Sequence, residues 1–188
     1  MGYRQYAKDY EIEYVDRPGK KRPRAVRIYV GPYYRFAAPA EKIRQVKWLY
    51  LAGLVTLALF LLLPLCVDGT LARTWYVQVP AAAAWIPWVL AAASAWRLWT
   101  AGDLVEREHH DMMGGRMSGA CLFLLIFSCI SAVGGVLTVM QIVAAREDWL
   151  VVGCMLCAAV CSAGLFSCRK SLEMTEVENP EKPQAKKQ

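Results

Sequence analysis

The chain has 188 residues, 56% of them hydrophobic, and a formal net charge of +6. That apolar share, with a mean hydropathy of +0.26, excludes a disordered chain and exceeds what ordinary soluble domains carry. The excess of base is no argument for nucleic acid, because the basic residues alternate with acids and no motif for reading bases accompanies them.

Residues 1–46 form a basic segment of their own. "DYEIEYV" alternates, with Tyr10, Ile12 and Tyr14 on one face, and "AVRIYV" resumes the β-rich pattern after the turn chemistry of "DRPGKKRPR". A two-stranded hairpin is expected, leaning on a membrane, on the 100–117 loop or on a partner, since two strands alone are marginal in water. The segment lacks the apolar core of a signal peptide, so insertion is expected to rest on the later helices. "APAEKIRQVKW" reads as a short amphipathic lead-in.

Residues 47–168 then carry four apolar runs, at about 48–67, 79–98, 118–143 and 149–168. Each approaches the ~20 residues that a helix needs to cross a bilayer core of ~30 Å. Backbone groups in lipid must be satisfied within the structure, so the predicted fold class is an all-α membrane protein, a four-transmembrane-helix bundle. Twenty of the 22 Lys and Arg fall before the first run, from Arg97 at the end of the second run to Arg116, or after the fourth. Basic loops stay inside, which predicts both termini in the cytoplasm and location in a plasma (inner) membrane, with anionic lipid at the cytoplasmic face.

The second run, "VPAAAAWIPWVLAAASAWRLWT", places Trp85, Trp88, Trp96 and Trp99 within about 80° of one another, and Pro87 should kink it. In the third, Gly115 with Gly119 and Ser131 with Gly135 repeat the small-xxx-small spacing that lets helices approach closely. The short "AAREDW" connection makes the last two helices an antiparallel hairpin. Residues 169–188, polar and Pro-containing, read as a disordered tail.

Chemistry has few footholds. Cys154, Cys157, Cys161 and Cys168 all fall within a band about 60° wide on the fourth helix, beside Gly153 and Gly164. A packing face through Gly153, Cys157, Cys161 and Gly164 accounts for more of them than a redox pair, Cys154 and Cys157, does. "EREHHDMM" offers Glu106, His109, His110 and Met113 as metal ligands, without any standard spacing, and a solvated loop is the plainer reading. Within the runs only Arg97 and Gln141 stand out as polar groups, too near the ends for a self-contained coupled pump, although a subunit of a small-molecule transporter stays open. No Walker loop, nucleophile elbow or HExxH is present.

Two resemblances follow from these residues. The C-x-x-C near one end of a helix in a four-helix protein resembles the quinone-linked thiol oxidoreductases of the vitamin-K-epoxide-reductase type, which implies Cys154 and Cys157 as a redox pair and quinone as cofactor. The outer loops lack the relay cysteines of those enzymes. "YEIEYVDRPGKKRPRAVRIYVGPYY" followed by a "VPAAAAWIPWVLAA" second run resembles small four-helix membrane proteins of anaerobic Gram-positive bacteria, which implies a bacterial inner membrane and no particular activity. The expectation is a non-catalytic scaffold or accessory subunit with no cofactor or metal. Its partner would be a cytoplasmic or intramembrane protein or a second copy of the chain.

Overall fold

The computed structural model describes residues 6–15, 24–141 and 145–177. The Pro-Gly turn expected between the hairpin strands lies outside them, as does the tail beyond Val177. Strands β1 (Tyr10–Val15) and β2 (Arg24–Tyr29) pair antiparallel, with Tyr10 opposite Tyr29 and Ile12 opposite Arg27. Strand β3 (Tyr33–Phe36) follows, and then helix α1 (Ala40–Leu62). Pro39 starts α1 from an extended backbone, and its carbonyl accepts the first helical N–H, from Ile43, at 3.1 Å. The basic lead-in is therefore the first two turns of α1 rather than a separate helix. Pro64, at the other end, sits in a tight turn over Leu63–Leu65.

The second run begins earlier than its hydropathy suggests and is two helices, α2 (Trp75–Ala83) and α3 (Trp85–Thr100). The break falls at Ala84, one turn before Pro87. Proline offers no N–H to the carbonyl four residues back, Ala83, and its ring crowds that carbonyl. Trp88 N–H to Ala84 carbonyl, at 3.1 Å, resumes the ladder. Strand β4 (Val105–Glu106), the short helix α4 (Arg107–Asp111) and a widened π turn over Met112–Arg116 lead into α5 (Met117–Val139). Helix α6 (Arg146–Ser167) and a 3-10 turn, Cys168–Leu172, complete the bundle. Taken with their end turns, four helical stretches are long and apolar enough to cross a membrane.

Their inner faces follow helical spacing. Val46, Tyr50, Leu54, Leu57 and Leu61 of α1 are buried, as are Met117, Cys121, Leu124, Ser128 and Ser131 of α5. Leu59, Val89, Ile130 and Val160 stand at least half exposed on the outside. An apolar outer belt of this extent is costly in water and costs nothing in lipid.

Hydrogen bonds cross between helices where a polar group would otherwise be stranded. Tyr50 donates to the Leu165 carbonyl at 2.7 Å, the Trp88 indole to the Leu54 carbonyl at 3.0 Å, and Ser131 to the Val77 carbonyl at 2.9 Å. Ser94, Thr138 and Ser162 each donate to the carbonyl one turn back on their own helix.

The tail departs from the disorder expected of 169–188. Met174–Val177 forms a fifth strand, β5, antiparallel to β3, with Phe36 opposite Met174 and Tyr33 opposite Val177. Strand β4 pairs with the other edge of β3, giving the order β4-β3-β5. The amide of Ala37 also donates to the Glu173 carbonyl at 3.0 Å. Four residues of modest alternation are ordered because a waiting edge strand satisfies their backbone. All five strands thus gather at one end of the bundle, the strand end, and short connections close the opposite loop end.

Candidate functional site

The strand end is a cap of tyrosines over acids. Edge-on ring contacts link Tyr10 to Tyr29 and Tyr29 to Tyr33, with centroids 5.2 and 5.1 Å apart. The Tyr29 hydroxyl donates to the Pro32 carbonyl at 2.8 Å and accepts the Arg107 amide N–H at 3.0 Å. Tyr10 donates to Glu106 at 2.8 Å, and Tyr6 to Asp111 at 2.7 Å. The hairpin is thereby bolted to β4 and α4, nearly a hundred residues away.

Gly31 is what lets the chain turn here: a Cβ on it would lie 2.6 Å from the Tyr29 hydroxyl. Burial raises the pKa of Tyr10 and of Tyr29, and the adjoining Glu106 raises that of Tyr10 further. The Tyr6 pKa is raised chiefly by its hydrogen bond to Asp111. Each hydroxyl keeps its proton because a neighbouring acid or a buried site disfavours tyrosinate. Between the hairpin and α4 lies a cavity of about 380 Å³ lined by Tyr6, Ala7, Tyr10, Ile12, Arg27 and Glu108. Ile12 beside it is 58% exposed.

The histidine region belongs to this cap, and its side chains part company. Glu106 is engaged by Tyr10, His110 stacks on Tyr34 with centroids 4.2 Å apart, and Met113 is buried in the bundle core. The His110 ring nitrogen lies 3.2 Å from Asp111. Among the described residues no three His, Cys, Asp or Glu side chains gather as a metal would require.

All seven cysteines are free thiols. Cys154 is buried against the bundle, Cys157 is exposed and Cys161 half-buried, so the two thiols of "GCMLC" have different surroundings. The buried face of α6 includes Val151, Val152, Cys154, Met155, Ala158, Ala159, Ser162 and Leu165. The band of Gly153, Cys157 and Gly164 is turned away from it. A Cβ added at Gly153 or Gly164, or at Gly115 or Gly119, would meet nothing within 4 Å among the described residues. Gly135 does sit in the interface, 3.0 Å from Val152 once given a Cβ, and Ser131 is fully buried. Of the tryptophan face, Trp85 and Trp88 pack against the core while Trp96 stays 70% exposed.

One residue that reading the sequence passed over closes the loop end. Asp148 is 0% exposed. Its Oδ1 accepts the Leu71 amide N–H at 3.0 Å and its Oδ2 that of Ala145 at 3.2 Å. It caps α6 and ties the first connection to the third. Gly69 makes room for it, since a Cβ there would lie 2.8 Å from Oδ1. The available signal was an acid at the third position of a helix, where the free amides of a first turn attract a carboxylate.

Comparison of the chain with family models, with curated proteins and with solved structures finds no match.

Proposed function

We propose that this is a multi-pass membrane protein whose strand-end cap faces the cytoplasm and docks a protein partner, the chain serving as an accessory subunit rather than a catalyst. The apolar belt and the four long helices support insertion. The distribution of Lys and Arg along the sequence, 20 of 22 of them before the first apolar run, from Arg97 to Arg116 or after the fourth run, supports the orientation.

The observation that carries the docking reading is the hairpin. It is held in place by Tyr6, Tyr10 and Tyr29, none of its described residues belongs to the bundle core, and it presents Ile12 beside a 380 Å³ cavity. A rigid, partly apolar ledge is suited to binding with little loss of conformational freedom.

A photo-crosslinking amino acid at Ala7, in cells, tests this. The expected result is a discrete protein adduct that Ile12→Glu removes while the protein stays in the membrane fraction. Adducts to lipid alone, or a protein adduct indifferent to Ile12→Glu, would overturn it. Deletion of residues 1–30 is the matching truncation. A longer cut to residue 40 would also remove β3 and unpair β4 and β5.

A further inference from the structure

Between α3 and α5 the small side chains of Ala93 and Ala120 leave a groove of about 320 Å³ open to the outside of the bundle. Leu90 and Phe123 line its part farther from the strand end, and Arg97 and Arg116 stand at its strand end. Arg97 is seven residues beyond Leu90 on the same helix, so the groove runs ~10 Å from guanidinium to apolar wall at the rise of an α-helix.

Polarity along this groove matches one kind of molecule. Two cations sit at the level where helix gives way to cap, and below them the lining is apolar. The Arg97 guanidinium reaches Glu108 only at 3.9 Å, with both side chains about a third exposed. A surface pair of that kind is weak and leaves most of the five guanidinium N–H groups unused. Arg116 has no carboxylate within ion-pair distance among the described residues. A free phosphate would use the cations but not the groove, and a neutral lipid the groove but not the cations.

We infer that this groove holds one anionic phospholipid of the inner leaflet, its phosphate between Arg97 and Arg116 and an acyl chain along Leu90, Ala93, Ala120 and Phe123. Guanidinium N–H groups donate to the phosphate oxygens, and the chain fills space that the protein leaves empty. This rests on the membrane reading above, which is tested separately by whether the protein resists alkaline extraction from membranes.

The experiment is native mass spectrometry of the full chain released from vesicles of phosphatidylcholine and phosphatidylglycerol in equal amounts. One retained phosphatidylglycerol is expected, with phosphatidylcholine adducts several-fold fewer. Arg97→Gln with Arg116→Gln should cut the phosphatidylglycerol adduct about tenfold. Ala93→Phe, which fills the groove and leaves both arginines, should cut it similarly. Arg73→Gln, a basic residue at the loop end, should leave it unchanged. Equal retention of the two lipids, survival of the adduct in both groove variants, or equal loss in Arg73→Gln would overturn the site. A protein that is extracted by alkali would instead overturn the membrane reading.

Discussion

At the loop end of the bundle a single carboxylate, Asp148, is sealed from solvent and takes two backbone N–H groups from two different connections. At the strand end Glu106 and Asp111 each take one tyrosine hydroxyl and keep contact with water. The chemistry is nearly the same and the consequences differ. A buried charge with its partners removed, or amides left without their carboxylate, carries the full cost of desolvation. A half-exposed pair falls back on water. The loop end is therefore a structural lock, and losing a single contact in the cap costs less.

That contrast is tested most severely by Asp148→Ala, which strands the amides of Leu71 and Ala145. A loss of about 3 kcal/mol is expected from two hydrogen bonds to a charged group, read by reversible unfolding in detergent. A loss below about 0.5 kcal/mol, the scale of an ordinary surface change, would put the lock elsewhere. Gly69→Ala should destabilise in the same direction but less, because the connection can shift to accommodate the methyl group.

Next in size is Gly31→Ala. Its Cβ displaces the Tyr29 hydroxyl, so amide exchange should quicken in residues 24–29 and 105–107 while the bundle's unfolding midpoint stays put. Equal loss at both ends would erase the distinction between lock and cap. Tyr10→Phe removes one partly buried hydrogen bond and should cost about 1 kcal/mol locally, seen as faster exchange in the paired strands β1 and β2.

The smallest effect is that of pH. Tyr6, Tyr10 and Tyr29 have pKa values above the ordinary tyrosine value in the folded chain. Their contribution is complete below the unfolded value of about 10 and is lost as pH rises from there through the folded values. Tyrosinate absorbance should therefore lag behind that of free tyrosine, and cap protection should fall only above about pH 10. A cap that loosens between pH 6 and 8 would contradict this.

What could be read from the sequence was whatever lies within a few residues. Hairpin alternation in "DYEIEYV" and the four apolar runs declared themselves. The proline break did so too, and its place at Ala84 follows from counting back one turn. What could not be read depended on partners far along the chain. "MTEV" is an unremarkable tetrapeptide until β3 lies beside it, and Asp148 is one acid in a short connection until the Leu71 amide arrives, 77 positions away. Small-residue spacing on α6 was legible, but a helical projection fixes only relative angles. It cannot say that Val151, Met155 and Ala158 face the bundle interior while Gly153 and Gly164 face out. Likewise the acids and histidines of "EREHHDMM" gave no sign that tyrosines of the N-terminal segment would engage Glu106, His110 and Asp111.

The pairing of β3 with β5 also orders events in time. Tyr33–Phe36 leaves the ribosome before any of the long helices, and Met174–Val177 after all of them. During synthesis one edge of β3 waits unpaired until the last helix is made, an arrangement that slows closure because its contacts are so distant in sequence. The finished cap is thus a sign that translation has passed residue 177. A chain halted earlier displays an open strand edge, the kind of feature by which incomplete products aggregate or are singled out for removal.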